Sequence, residues 1–153
     1  MKLTSLGELA LKGLLELAKA ETAGAPGLTA SEIARRCHAS QKFLEIALLK
    51  LRAAGFVVSR RGAHGGYRLA HDPDRIFVGD ISRLIDGPLA PAPCASVTRH
   101  YTCDWCEDEA RCELKIVWTR VREAVATVMD SVSLADLIRE AETLAAASDR
   151  YLI

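Results

Sequence analysis

Four thiols fall within nineteen residues of this 153-residue chain, in the order Cys94-x8-Cys103-x2-Cys106-x5-Cys112. Thiolates suit soft and borderline metals, and one loop can wrap a single centre only if its ligands return within a few residues. The spacing therefore admits three chemistries: an iron-sulfur cluster, a structural zinc, or a thiol-disulfide switch between Cys103 and Cys106. Spacing alone does not separate the first two. A fifth cysteine, Cys37, has no local partner and is expected to be a small buried apolar residue.

The cysteines sit in a stretch opened by Pro88, Pro91 and Pro93 that shows no periodicity, so a functional loop is expected there. What precedes it reads as a compact head. Thr4 to Ala20 places Leu6, Leu9, Leu14 and Leu17 at helical intervals. Thr29 and Glu32 form a capping-box pattern before a short helix at Ile33 to Cys37, followed after His38-Ala39 by a second helix. That second helix is capped by Ser40 and carries Phe43, Ile46, Ala47, Leu49, Leu51 and Ala54 as its expected core stripe, until Gly55 stops it. A strand at Phe56-Val57-Val58, a glycine-rich turn and a returning Tyr67-Arg68-Leu69 complete a winged helix-turn-helix. Gln41 and Lys42 in the first turn, with Glu45 beyond them, could reach base edges or phosphates.

Charge points the same way. Formal net charge is zero, yet Leu28 to His71 holds eight Lys/Arg against Glu32 and Glu45, a local +6 that leaves −6 for the remainder. A basic module joined to an acidic body is the footprint of a nucleic-acid-binding head on a sensing or assembly region. No apolar run reaches membrane-span length, and a cytoplasmic protein is expected.

After the loop, Glu107 to Ser131 reads as a helix about 35 Å long, with Leu114, Val117, Val121, Ala124, Val125, Val128 and Val132 in a heptad-like seam suited to a homodimer. Ser133 and Asp136 start a closing helix, and the tail after Ala145 is expected to be weak. The expected division is 1–87 DNA-binding head, 88–107 cysteine-rich sensing loop, 108–145 dimerisation and closing helices, and 146–153 tail.

The segments LTSLGELALKGLLELA, LTASEIARR, SQKFLEIALLKLRAAGFVVSRRGAHGGYRLA, VGDISRLIDGPLAP, the cysteine loop and SLADLI together resemble the IscR/NsrR/CymR family of bacterial winged-helix regulators. The likeness is most specific at RRGAHGGYRL. It implies a mainly α fold, a homodimer on the long helix, a recognition helix in the major groove and a wing arginine, Arg61, in the minor groove of double-stranded DNA. The expected DNA-binding set is Ser40, Gln41, Lys42, Glu45, Arg60, Arg61, His64, Gly65, Gly66 and Tyr67. In cluster-bearing members three loop cysteines hold iron-sulfur iron, which carries over to Cys94, Cys106 and Cys112. Lys115 stands where some members have a fourth-ligand histidine, so Glu8, reaching across from the other subunit, is the implied fourth ligand. Family members space the three cysteines five residues apart, whereas eleven separate Cys94 from Cys106 here, with Cys103 between them. Cys103 is thus either a ligand or a resolving thiol, and the cluster type (2Fe-2S or 4Fe-4S) stays open, with zinc as the alternative cofactor. Some relatives lack a metal and sense through a protein partner. No strand-helix alternation surrounds Cys103-Asp-Trp-Cys106, which weighs against a dithiol oxidoreductase.

Overall fold

The computed structural model describes residues 3–62 and 65–149. Among these residues six helices and one two-stranded sheet follow in the order helix, helix, helix, wing, helix, loop, helix, helix.

Helix α1 (Ser5–Thr22) begins where the Thr4 hydroxyl accepts from the Gly7 amide at 3.1 Å. It buries Leu9, Ala10, Leu14, Leu17 and Ala18. Thr29 caps α2 (Ala30–Arg36) by accepting from the Glu32 amide at 3.2 Å, so this helix starts three residues earlier than the apolar pattern predicts. The Glu32 carboxylate does not complete a reciprocal box but turns to Arg35 and Arg36, at 2.8 and 2.9 Å. The turn between helices is made by His38 at φ 52°, a left-handed position that histidine tolerates better than most residues.

Helix α3 (Gln41–Ala53) differs from expectation in which side it buries. The core face is Leu44, Ala47, Leu48 and Leu51, while Phe43, Ile46 and Leu49 are exposed. The run FLEIALLKL contains two apolar stripes, and packing against α1 selects the one with the complete i, i+3, i+4, i+7 set. Leu44, Leu48 and Leu51 join Leu14, Leu17, Ile33, Ile76 and Ile81 in one core, where truncating Leu48 to alanine costs about 2–5 kcal/mol.

Gly55, at φ +80°, stops α3 and turns the chain into β1 (Val57–Arg60), which pairs antiparallel with β2 (Gly66–Leu69), Val57 opposite Leu69 and Arg60 opposite Gly66. Main-chain bonds in both directions between Tyr67 and Leu28, at 2.7 and 3.0 Å, tie the wing to the segment before α2. A Cβ on Gly66 would lie 2.7 Å from the Leu28 carbonyl oxygen, so only glycine allows this contact.

Helix α4 (Val78–Asp86) ends at Gly87, at φ +90°. The loop then makes short 3-10 turns at Pro93–Ala95 and Glu109–Arg111. The second turn, in which Asp108 accepts from the Ala110 amide at 2.9 Å, delays the long helix, so α5 (Glu113–Ser131) starts six residues late and spans about 28 Å rather than 35 Å. No residue of α5 is buried, and Leu114, Val117, Val121 and Val128 are exposed along it. Ser133 and Asp136 form a full reciprocal box opening α6 (Leu134–Asp149), which reaches Asp149, into the segment expected to be weak. Bonds from the Val78 amide to the Val132 carbonyl and from the Leu134 amide to the Ile76 carbonyl, both 3.0 Å, pin the α5–α6 junction to the head. Leu134 is fully buried there, and Ile138 packs against the same core, so α6 folds back on its own head.

Candidate nucleic-acid interface and thiol cluster

The basic side chains of the head are exposed as a winged helix-turn-helix requires. Ser40 occupies the N-cap of α3 without a side-chain capping bond, and its side chain is exposed. Lys42 is exposed beside it. Gln41 donates to Glu45 at 2.8 Å, so these two polar groups occupy each other along the helix. Arg60 ends β1 and Arg61 follows it, both exposed, while Arg52 donates to the Ser59 hydroxyl at 3.2 Å and ties the end of α3 to the wing. The wing tip is tight: the Gly65 amide donates to the Gly62 carbonyl at 2.8 Å, and a Cβ on Gly65 would lie 2.3 Å from the Arg60 carbonyl oxygen. Tyr67 is half-buried against the core and anchors the wing. His64 lies outside the described residues.

The loop gathers three of its four cysteines around Cys106. The Cys106 amide donates to the Cys103 carbonyl at 3.1 Å, closing a turn, and the Cys106 thiol lies near enough to those of Cys112 and Cys103 to feel both. Burial, then the neighbouring thiols, push the Cys106 thiol above its usual range. Neighbouring thiols repel one another as thiolates, a repulsion that a bound cation or a disulfide relieves. Cys94 is buried in the Pro93–Ala95 turn, and Arg122 of α5 donates to the adjacent Ala95 carbonyl at 3.0 Å.

Lys115 connects these parts. Its ammonium is close enough to Cys94 and Cys106 to interact with both, and it binds the Glu109 carboxylate. Glu109 also takes His100 at 2.8 Å and Thr102 at 3.1 Å, and Lys115 first, then His100, hold its carboxyl at about 2. This clasp carries no signature in the spacing of the cysteines. Trp105, between Cys103 and Cys106, is 95% exposed.

Glu8 lies elsewhere. It pairs with Lys12 at 2.7 Å, which lowers its pKa, and it shares a shallow cleft with Cys37 and Phe43 that none of the loop cysteines lines. Cys37 packs against the core but is only half-buried rather than buried as expected, and burial raises its thiol. Among the described residues no three His, Cys, Asp or Glu side chains are arranged to hold a metal ion. The donor types of the loop fit a soft metal, but Cys94 stands apart from the contacts that join the other three thiols.

A winged helix-turn-helix head with an exposed basic wing, followed by a cysteine loop and a long apolar-faced helix, defines a class of DNA-binding regulator. Comparison with known proteins identifies which one: the sequence model of Rrf2, described as an iron-dependent transcriptional regulator, matches residues 3–140, and the chain belongs to this family. It is 42% identical to an rrf2-like regulator of Rhodobacter capsulatus over 89% of this chain and 91% of the relative. It is 38% identical to the transcriptional regulator CymR of Bacillus subtilis over 90% and 89% of the two chains. The solved structure of that CymR, described as the global cysteine regulator of B. subtilis, superposes with a TM-score of 0.71 over 90% of this chain and 95% of that one. IscR of T. potens is 31% identical with a TM-score of 0.74, covering 94% and 90%. The chain is therefore a DNA-binding transcription regulator and not an enzyme, which removes the dithiol oxidoreductase alternative. Among the described residues no helix is long and apolar enough to cross a membrane.

Proposed function

We propose that this regulator binds operator DNA as a homodimer whose grip is set by the state of its cysteine loop. The observation that carries this reading is the meeting of Cys103, Cys106 and Cys112 at one thiol, beside a lysine rooted in the long helix. Ser40, Gln41, Lys42 and Glu45 present the start of α3 to the major groove, and Arg60 and Arg61 with Gly65, Gly66 and Tyr67 form a wing whose tip reaches the backbone and minor groove. Leu114, Val117, Val121 and Val128, exposed along one side of α5, supply the seam on which two chains pair.

The loop would hold an iron-sulfur cluster through Cys106 and Cys112, with Cys94 or Cys103 as the third thiolate and the partner's Glu8 or the remaining cysteine completing the set; zinc is the alternative occupant. A bound cluster supplies a centre that responds to oxidant, iron supply or nitric oxide. Glu8 serves only if Lys12 releases it, since the pair is closed within one chain. The chain's own residues carry the signal. Arg122 grips the carbonyl beside Cys94, Lys115 grips the Glu109 end of the loop, and both project from α5, so a loop that tightens moves the helix that sets the separation of the two heads. A metal-free thiol switch has its own support in the closed Cys103–Cys106 turn.

Anaerobic purification followed by iron, sulfide and zinc analysis tests this reading. The wild type is expected to sediment as a dimer with bound metal and to lose it in Cys106→Ala. Wild-type metal content in that variant would remove Cys106 from the site, and a metal-free wild type whose loop thiols resist oxidation would overturn the reading.

A further inference from the structure

The stripe of α3 directly opposite its core face consists of Lys42, Ile46 and Leu49, spaced i, i+4, i+7, with Ile46 49% and Leu49 59% exposed. Phe43 is exposed on the flank of the same helix. Isolated exposed apolar residues need no explanation, but these lie together on the most basic part of the chain, beside Lys42 and Lys50. That setting selects the occupant. A second copy of this face would bring lysines against lysines, whereas a polyanionic duplex matches the charge. The usual hydrogen-bonding readers are engaged elsewhere, because Gln41 and Glu45 bond each other at 2.8 Å. On the major-groove edges of the four base pairs the thymine C5-methyl is the apolar group.

We propose that Ile46, with Leu49 one turn further along the same stripe, recognises thymine in the operator by contact with its C5-methyl group. This rests on the reading of α3 as the helix that enters the major groove, and it assigns base recognition to two side chains that the apolar pattern of the sequence places in the core. Specificity then comes partly from desolvating a methyl group, with Lys42 holding the phosphates on either side.

The test uses a duplex selected by the full-length wild-type protein from a random pool, with each thymine in turn replaced by uracil, which removes only the methyl. Wild type is expected to lose about fourfold in affinity at one or more contacted thymines, the effect of roughly one methyl-sized group leaving contact. Ile46→Ala, which folds normally because the side chain is half out in solvent, should bind the thymine and uracil duplexes equally at that position. Uracil tolerated by the wild type at every position would overturn the proposal, as would Ile46→Ala retaining the same preference for thymine. A selection that enriches no sequence over random duplex would instead sink the reading of α3 as a groove helix, and the proposal with it.

Discussion

Arg83 of α4 and Asp130 of α5 meet as a bidentate ion pair, Nη1 to Oδ1 and Nη2 to Oδ2, both at 2.7 Å. Arg83 holds the Asp130 carboxyl below its usual range. The pair joins the DNA-binding head to the helix proposed as the dimer seam. Gly79 lies so close to it that a Cβ there would stand 1.9 Å from Asp130 Oδ1.

Gly79→Ala should therefore displace Asp130 and open the pair, even though alanine favours a helix by up to about 1 kcal/mol over glycine. Because both partners are a third to a half exposed, the lost pair is worth only about 1 kcal/mol. In an Asp130→Ala background the obstruction is gone, and the same substitution should become neutral or stabilising. Urea unfolding midpoints of the four proteins measure the difference, and identical effects in both backgrounds would show that the glycine is not required by the ion pair.

The Glu109 clasp gives the loop a pH dependence of known sign. Its folded pKa of about 2 lies below the ordinary 4.5, so its stabilisation is complete above pH 4.5 and is lost as pH falls from there toward 2. Trp105, exposed between two of the cysteines, reports on the loop by its fluorescence. A wild-type transition in that acid window should be missing from Glu109→Gln, and a variant that titrates as the wild type does would assign the transition to other carboxylates.

Arg61 stands exposed just beyond β1, on the wing. Arg61→Ala should weaken binding to all duplexes by a similar factor and reduce the slope of log affinity against log salt by about 1 per bound wing. An unchanged slope would mean that Arg61 makes no phosphate contact.

Much of the head could be read from local signals, because Thr4, Thr29 and Ser133 each mark a helix start through a bond to an amide three residues on. The Gly55 stop is legible too, because glycine takes the left-handed turn that ends α3. The side of α3 was not, since two apolar stripes compete in one run and only contact with α1 decides between them. The start of α5 was misplaced because the Asp108 turn interrupts residues that individually suit a helix. At the site, cysteine spacing announces a soft-ligand loop, but the bond that attaches it to α5 crosses 27 residues from Arg122 to Ala95, and the pair that joins α5 to the head crosses 47 from Arg83 to Asp130; no periodic pattern encodes either.

The central relationship is between the loop and the grip on DNA, and it is measured most directly as one ratio: the affinity of wild-type protein for its selected duplex with the cysteine loop metal-loaded, divided by the affinity after anaerobic chelation. We expect a ratio at least fivefold from unity, the lower end of ordinary coupling between sites. Arg122→Ala should keep the metal yet bring the ratio toward one, because the carbonyl beside Cys94 no longer pulls on α5. Equal affinities in the loaded and stripped wild type would contradict the coupling altogether.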